Sequence, residues 1–391
     1  MDRFTAAERA LRRAAPHALL QAVQDALTQH YGAVSVDLLM ADYAMTILQP
    51  VSALPYTGDP ISVYQSSAGR AFGAQRPYAE NDDRTGQLTV HLPISVRGDR
   101  IGVLTVTLPH DRYDARAEHE LQDVAEVLGH EIVVGERDTD VYLQARRANR
   151  LTLAAEMQWQ LLPGRSCSRP EYDIGAQLEP AYAIYGDNFD WSASAGHLTL
   201  VVTNGMGEGI EAALLTNLAV NALRNARRAG LSLADQACLA DQAVYGHYHG
   251  QAYLSTLLLR FDLETGQTQI VDAGSPRMWR LRHGKAEQIQ LEAQLPLGMF
   301  EDTLYTAEPF QAEPGDRLVF VSDGVYNVAS PAGEPYSEKA LVRALTSTRL
   351  LPASQVPRAV LQELAGHRGP IEADDDAMVV CLDWHGRQNT E

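Results

Sequence analysis

The chain has few cysteines, few aromatic residues and no long apolar run. Cys167, Cys238 and Cys381 are its only cysteines; they are far apart and form no CxxC pair. That spacing argues against a disulfide framework or a cysteine zinc site, and for free thiols in a reducing compartment. No stretch reaches the ~18 apolar residues needed to span a membrane. The first residues, MDRFTAAERALRRAAPHALLQ, carry scattered charges and no apolar leader core. A cytoplasmic location is therefore expected. Positive charge is also scarce: 32 Lys and Arg stand against 50 Asp and Glu, a formal net charge of −18. Such a chain has no overall field to attract nucleic acid or anionic membrane, and neither is expected as a partner.

What is present is enough for real cores. The 391 residues are 45% apolar, which fits two or three globular domains. Residues 1–31 read as helical, with Leu19, Leu20, Val23, Leu27 and Tyr31 at helical spacing. Short strand patterns follow at 34–40, 44–48, 88–94 and 101–108, with Arg97-Gly98-Asp99-Arg100 as a hairpin turn between the last two. A second helical stretch covers about 114–136. Residues 138–163 read as one linking helix, stopped by Pro163 and Gly164. In it Val141, Ala145, Ala148, Thr152, Ala155, Trp159 and Leu162 fall at alternating steps of four and three, a short coiled-coil seam or a helix packed on its own domain. Beyond residue 171, strands at 198–203, 252–262, 268–272, 317–322 and 378–382 mix with helices at 212–228, 341–348 and 356–367. Two sheets with helices on their outer faces account for that order.

Acidic residues recur where these strands end. Asp187 and Asp190 lie in YGDNFDW, Asn204-Gly205 follows an apolar run, Asp323-Gly324 follows LVFVS, and Asp374, Asp375 and Asp376 precede MVVCL. A single Asp-Gly is usually only a turn. Several at matching strand ends can converge above a sheet, where hard divalent cations find oxygen ligands. Two such cations ~3.5–4 Å apart can activate a water for attack on a phosphoryl group.

From Ala154 to Trp384 the motifs keep a recognisable order. AAEMQWQLLP (154–163) is similar to the AxxIQxxLLP entry motif of SpoIIE-like, PPM-type serine/threonine phosphatases. YGDNFD (185–190) resembles their GGDFYD, and TNGMGEG (203–209) followed by AALL resembles SDGMGNG followed by AALL. DAGSP (272–276), LPLG (295–298), PGD through VSDGV (314–325) and Asp375-Asp376-Ala377 resemble NAGHPP, GLPLG, PGDxLLLYTDGV and DDxT. The N-terminal strands, ending on LTVHLPISVRGDRIGVLTVTLP, resemble a GAF domain, with PAS as a close rival. The resemblance implies an α+β chain: a GAF-like sensor over 1–137, the linking helix over 138–163, and a PPM-type β-sandwich flanked by helices over 164–386. It implies a binuclear Mn²⁺ or Mg²⁺ centre and a phosphorylated signalling protein of the anti-sigma-factor antagonist type as substrate. A homodimer through the linking helix or the GAF-like domain is also implied. Asp323 and Asp375 would be carboxylate ligands, Gly205 a carbonyl ligand, and Asp187 an acid near the cluster, with Asp376 beside it. A GAF ligand pocket would lie over 51–83, with no cysteine there for a bilin or haem.

Asn204 stands where the family has its metal-bridging aspartate. An amide has one accepting oxygen and an NH₂ that only donates, so it bridges two cations badly, and it leaves one negative charge fewer between them. Tyr185, Ser275 and Met378 also depart from the family pattern. Natural divergence and a deliberate inactivating change both fit, as do an impaired phosphatase and a silent, partner-binding one. Glu208 could supply a compensating carboxylate, although a solvated loop acid is the simpler reading. His247 and His249 read as a surface loop rather than a metal clip. The glycines at 205, 207 and 209 lack a P-loop lysine, and Ser322 lacks a nucleophile elbow. Arg224, Arg227 and Arg228 read as a solvated helix face, or as a receptor for an acidic partner.

Overall fold

The structure is a computed structural model that describes residues 2–53, 60–82, 84–180, 182, 186–274, 276–371, 373 and 375–387. Tyr185, Ser275 and Asp374 lie outside the described residues, as does part of the expected pocket segment at 51–83. Contacts divide the chain into two compact units, residues 1–150 and 151–391.

The first unit contains α1 (Arg3–Arg13), α2 (Leu19–Tyr31), β1 (Ser35–Ala41), β2 (Ile47–Pro50), β3 (Ile61–Ser62), α3 (Ser67–Ala74), β4 (Tyr78–Asp82), β5 (Gln87–Val96), β6 (Asp99–Pro109), α4 (Ala115–Gly135) and α5 (Val141–Ala145). Its strands form one antiparallel sheet in the order β3-β2-β1-β6-β5-β4. The β5–β6 hairpin turns at Arg97 (φ 53°) and Gly98 (φ 91°), the paired left-handed residues that a tight hairpin needs. Gly32 (φ 73°) ends α2, and the Asp114 carboxylate caps α4 by accepting the Ala117 N–H. Leu121, Val124, Leu128 and Ile132 of α4 join Leu27 of α2 over one face of the sheet. On the other face, Phe72 of α3 packs with Leu39, Leu48 and Val103 where a sensor pocket was expected.

The continuous linking helix expected over 138–163 is absent. α5 is only five residues long, and the chain leaves helical conformation over 146–152 before α6 (Leu153–Leu161) begins. Burial and capping explain the break. Tyr142 and Ala145 sink into the first unit's core, where the Tyr142 hydroxyl donates to the Pro16 carbonyl at 2.5 Å. On the far side Thr152 caps α6 by accepting the Ala155 N–H at 3.1 Å. A seam of small residues buries too little surface to hold a free helix across that gap. The expected dimer seam therefore does not run along one helix.

The second unit continues with β7 (Ser166–Arg169), β8 (Tyr172–Glu179), β9 (Asn188–Ala193), β10 (His197–Gly205), α7 (Gly209–Arg228), α8 (Leu233–Tyr248), β11 (Leu254–Asp262), β12 (Gln267–Ala273), β13 (Arg277–Arg282), β14 (Lys285–Ile289), β15 (Glu308–Gln311), β16 (Asp316–Val321), α9 (Asp323–Tyr326), α10 (Glu338–Ser347), α11 (Val356–Arg368) and β17 (Ala377–Trp384). Two antiparallel sheets result, β15-β12-β11-β10-β9 and β14-β13-β16-β17-β8-β7. Alternate residues of the central strands face opposite ways, yet nearly all are buried, as expected of sheets covered on both sides. Val201, Leu258 and Val271 meet α7 and α8, while Val319, Val379 and Cys381 meet α10 and α11. Between the sheets, Phe261 stacks on Trp384 at 5.6 Å. The result is the β-sandwich flanked by helices that the motif order implied.

Arg317 pins the outer helical layer to its sheet. It grips the Asp383 carboxylate with two N–H groups at 2.6 and 2.7 Å and donates to the carbonyls of Thr348 and Leu351. Replacing it with alanine leaves a half-buried carboxylate and two carbonyls without that donor. Arg317→Ala is expected to cost about 3–5 kcal/mol, read as a lowered urea midpoint; a loss below about 1 kcal/mol would show that the clamp is not holding that layer.

Candidate active site

The sandwich brings four strand ends to one edge. β9 starts and β10 ends there, paired Thr203 to Asn188, and β16 ends where β17 starts, paired Val321 to Val379. Asn204 and Gly205 close β10, Asp323 follows β16 and opens α9, and Asp375 and Asp376 precede β17. Asn204, Gly205, Asp323 and Asp375 line a cleft of 460 Å³ together with Met206, Gly207, Glu208, Tyr253 and Ser255.

Asp187 and Asp376 sit behind this cleft, both buried. One Asp376 oxygen, Oδ2, accepts the backbone N–H groups of Gly186 and Asp187, each at 3.1 Å. That oxygen acts as a backbone anchor, so Asp376 is only half available as the neighbouring acid expected from the sequence. Asp187 is enclosed, and its Oδ2 has no hydrogen-bond partner among the described residues. Burial first, then the Asp376 charge, pushes the Asp187 carboxyl well above the usual carboxylate range; the Ser322 hydroxyl opposes this. The Asp375 carboxyl is also raised, by burial and then by Asp323. Four carboxylates thus repel one another at one edge of the sandwich.

Asn204 relieves part of that repulsion. Its Nδ2 donates directly to Asp323 Oδ1, a contact across the two sheets. An aspartate at this position would face Asp323 with like charge.

The backbone geometry explains the glycines. A Cβ on Gly324 would lie 2.0 Å from the Asp376 carbonyl oxygen, and one on Gly205 would lie 2.5 Å from the Gly186 carbonyl oxygen. Both residues permit close strand-end contacts rather than merely marking turns. The Thr216 hydroxyl of α7 donates to the same Gly186 carbonyl at 2.7 Å.

Several expectations from sequence change here. Arg224 and Arg227 are not a solvated face. Together they grip Asp190, with Arg224 Nη2 at 2.7 Å and Arg227 Nη1 at 2.9 Å, and Arg224 also takes the Leu161 carbonyl at the end of α6. Only Arg228 is exposed. His247 lies in the last turn of α8 and His249 caps it in left-handed conformation, so they end a helix that the sequence reading missed. Ser322 is buried and accepts the Met378 N–H, which fits its rejection as a nucleophile. Glu208 is exposed on the cleft rim. Tyr253 and Ser255 were not foreseen. The LPLG loop positions them: Leu297 exchanges backbone hydrogen bonds with Leu254, and Asp241 of α8 accepts the Gly298 N–H at 2.8 Å. Apart from LPLG itself, no sequence signal marked this wall.

The donor set suits a hard cation in its chemistry. Asp323, Asp375 and Gly205 line one cleft, and the Asp187 oxygen without a partner among the described residues lies behind it. Among the described residues no three His, Cys, Asp or Glu side chains already form a metal-holding group. Asn204, its amide N–H committed to Asp323, offers one neutral oxygen and no anionic one to join a pair. The residues fit one divalent cation and do not fit a bridged pair.

A model of the family described as Stage II sporulation protein E (SpoIIE) matches residues 194–385. Over those residues the second unit is similar to a SpoIIE-type domain. The chain is 24% identical over 234 residues to the phosphoserine phosphatase RsbU of Bacillus subtilis, covering 59% of this chain and 68% of RsbU. It is 23% identical over 265 residues to protein IcfG of Synechocystis sp., covering 59% of this chain but only 41% of IcfG. The SiaA-PP2C domain of Pseudomonas aeruginosa superposes with a TM-score of 0.50 at 19% identity, covering 59% of this chain and 93% of that one. The RsbU and RsbW domains of a Mycobacterium tuberculosis protein give a TM-score of 0.50 at 22% identity, over 56% and 61%. These two structures share the fold of the SpoIIE-type domain.

The Asn204–Asp323 contact predicts how stability responds to cations. In chelator, Asn204→Asp should lower the melting temperature, by about 1–3 kcal/mol of stability, because a hydrogen bond becomes a like-charge pair. Millimolar Mn²⁺ should then restore the variant and raise the parent chain less. An Asn204→Asp chain as stable as the parent in chelator would remove the contact from the account.

Proposed function

We propose that the second unit is a metal-dependent protein serine/threonine phosphatase of bacterial signalling, slowed by Asn204. Its substrate would be a phosphorylated protein of the anti-sigma-factor antagonist type. The observation that carries this reading is the convergence of Asn204, Gly205, Asp323 and Asp375 on one open cleft at the end of the sandwich. A relative named as a phosphoserine phosphatase supports the substrate class.

A bound Mn²⁺ or Mg²⁺ would supply positive charge against the phosphoryl oxygens. Asp323 and Asp375 would hold it from two strand ends, with the Gly205 carbonyl beside them. Asn204 orients the Asp323 carboxylate through its amide N–H. Asp376 fixes the 186–187 backbone, and with it Asp187. We place regulation in the first unit, whose antiparallel sheet with α2 and α4 on one face and α3 on the other suits a GAF-like sensor, and we place homodimerisation there too. No helix among the described residues is long and apolar enough to cross a membrane.

A second reading is favoured by the Asn204–Asp323 hydrogen bond: a silent phosphatase fold that binds its partner without turning it over. Phosphate release from p-nitrophenyl phosphate and from a phosphoserine protein, in Mn²⁺, separates the two. Slow, chelator-sensitive turnover that rises about tenfold or more in Asn204→Asp supports the phosphatase reading. Equal turnover in both chains contradicts the role given to Asn204. No turnover in either leaves the binding reading.

A further inference from the structure

Beside the cleft lies an apolar surface that the catalytic reading does not use. Met206 lies on the cleft rim, Ile210 and Leu214 follow one helical turn apart at the start of α7, and all three are exposed. Leu295, Phe300 and Leu304 are exposed on the 295–304 segment, Leu304 to 84%. These six are two thirds of the nine large apolar side chains exposed among the described residues of this unit; the others are Leu153, Leu350 and Ile371. Scattered single residues would need no explanation, but a concentration beside one cleft does.

The two groups belong to one face because the end of α8 joins them. Glu211 of α7 is close enough to act on the Tyr248 phenol, whose pKa is raised by burial and then by that charge. Gly250, just past α8, approaches the Met299 carbonyl so closely that a Cβ would lie 2.9 Å from it. Asp241 of α8 holds the Gly298 N–H and the Tyr305 hydroxyl.

The charge around this face has one sign. Residues 198–223, 229–259 and 286–316, which build it, contain no Lys or Arg. Glu208, Glu211, Glu301 and Asp302 are exposed around it. A second copy of the same face would bring acid against acid, which disfavours self-association there. The complementary occupant is cationic at its rim and apolar at its centre.

We infer that this face docks a segment of the phosphoprotein substrate in which a large apolar side chain is flanked by Lys or Arg. Cationic flanks steer the segment to the acidic rim, and the apolar side chain settles on the exposed apolar residues at the start of α7 and on the 295–304 segment. The inference rests on the phosphatase reading for the identity of the partner, and on the surface itself for its chemistry.

Fluorescence anisotropy on the full chain tests it with labelled phosphoserine peptides of equal length. One carries Arg and Leu around the phosphoserine, one Glu and Leu, and one Arg and Gly, each also made with plain serine. The Arg/Leu peptide should bind about tenfold tighter than either of the others, in its phosphorylated and its plain form. Ile210→Ser with Leu304→Ser should erase most of that preference, while Leu350→Ser, exposed elsewhere, should keep it; circular dichroism checks that each variant folds. Equal binding of the three peptides, or an unchanged preference in the double variant, overturns the proposal. Preference without any hydrolysis, in the parent chain and in Asn204→Asp alike, supports the docking face while removing the phosphatase reading.

Discussion

The site depends on one contact, the Asn204 amide against the Asp323 carboxylate. Asp187, Asp323, Asp375 and Asp376 gather at one edge of the sandwich, where burial and mutual repulsion disfavour charge. A fold that assembles so many acids needs compensating positive charge or hydrogen-bond donors. Among the described residues the donors include backbone N–H groups on Asp376 and Asp375, the Ser322 hydroxyl by Asp187, and the Asn204 side chain on Asp323. The Asn204 contact spans the two sheets, so it settles part of the electrostatics within the protein itself. The same amide that quiets the repulsion gives up the second anionic oxygen on which a bridged cation pair would depend.

The rest of the fold supports this edge. Gly205 and Gly324 let strand ends approach more closely than any side chain would allow. Thr216 ties α7 to the Gly186 carbonyl, and the Arg224–Asp190 pair ties α7 to β9 and to the end of α6. The LPLG loop is held by Asp241 from below and by Leu254 from the side, which fixes Tyr253 and Ser255 on the cleft wall. Site and scaffold are therefore coupled through short polar contacts, while apolar burial on both faces of each sheet supplies the bulk stability.

The parts of this arrangement written in local pattern were legible in the sequence. The Arg97-Gly98 turn, the periodic helix over 356–368 and the acids at strand ends all follow from neighbours a few residues apart. The Ala-rich α8 was missed because its buried face, with Ala237 and Ala240, is made largely of small residues that give little periodic contrast. The β13–β14 hairpin was missed because MWRLRHGKAEQI mixes charge with a buried Trp279. The linking helix was overread, since spacing alone does not reveal that Tyr142 and Thr152 serve two different units. The Asp190 clamp joins residues 34 and 37 positions apart, and the Asn204–Asp323 contact joins residues 119 apart. No local pattern carries pairings of that range: motif order gathers Asn204, Asp323 and Asp375, but neither the Asp190 clamp nor the Asn204–Asp323 hydrogen bond is written in it.

The number of cations the site accepts follows from the amide at position 204. Calorimetric titration of the full chain with Mn²⁺, beside Asn204→Asp, measures it directly. No more than one Mn²⁺ per parent chain is expected, with a second site in the variant. Two tight Mn²⁺ sites in the parent chain, with Asn204 in place, would contradict it.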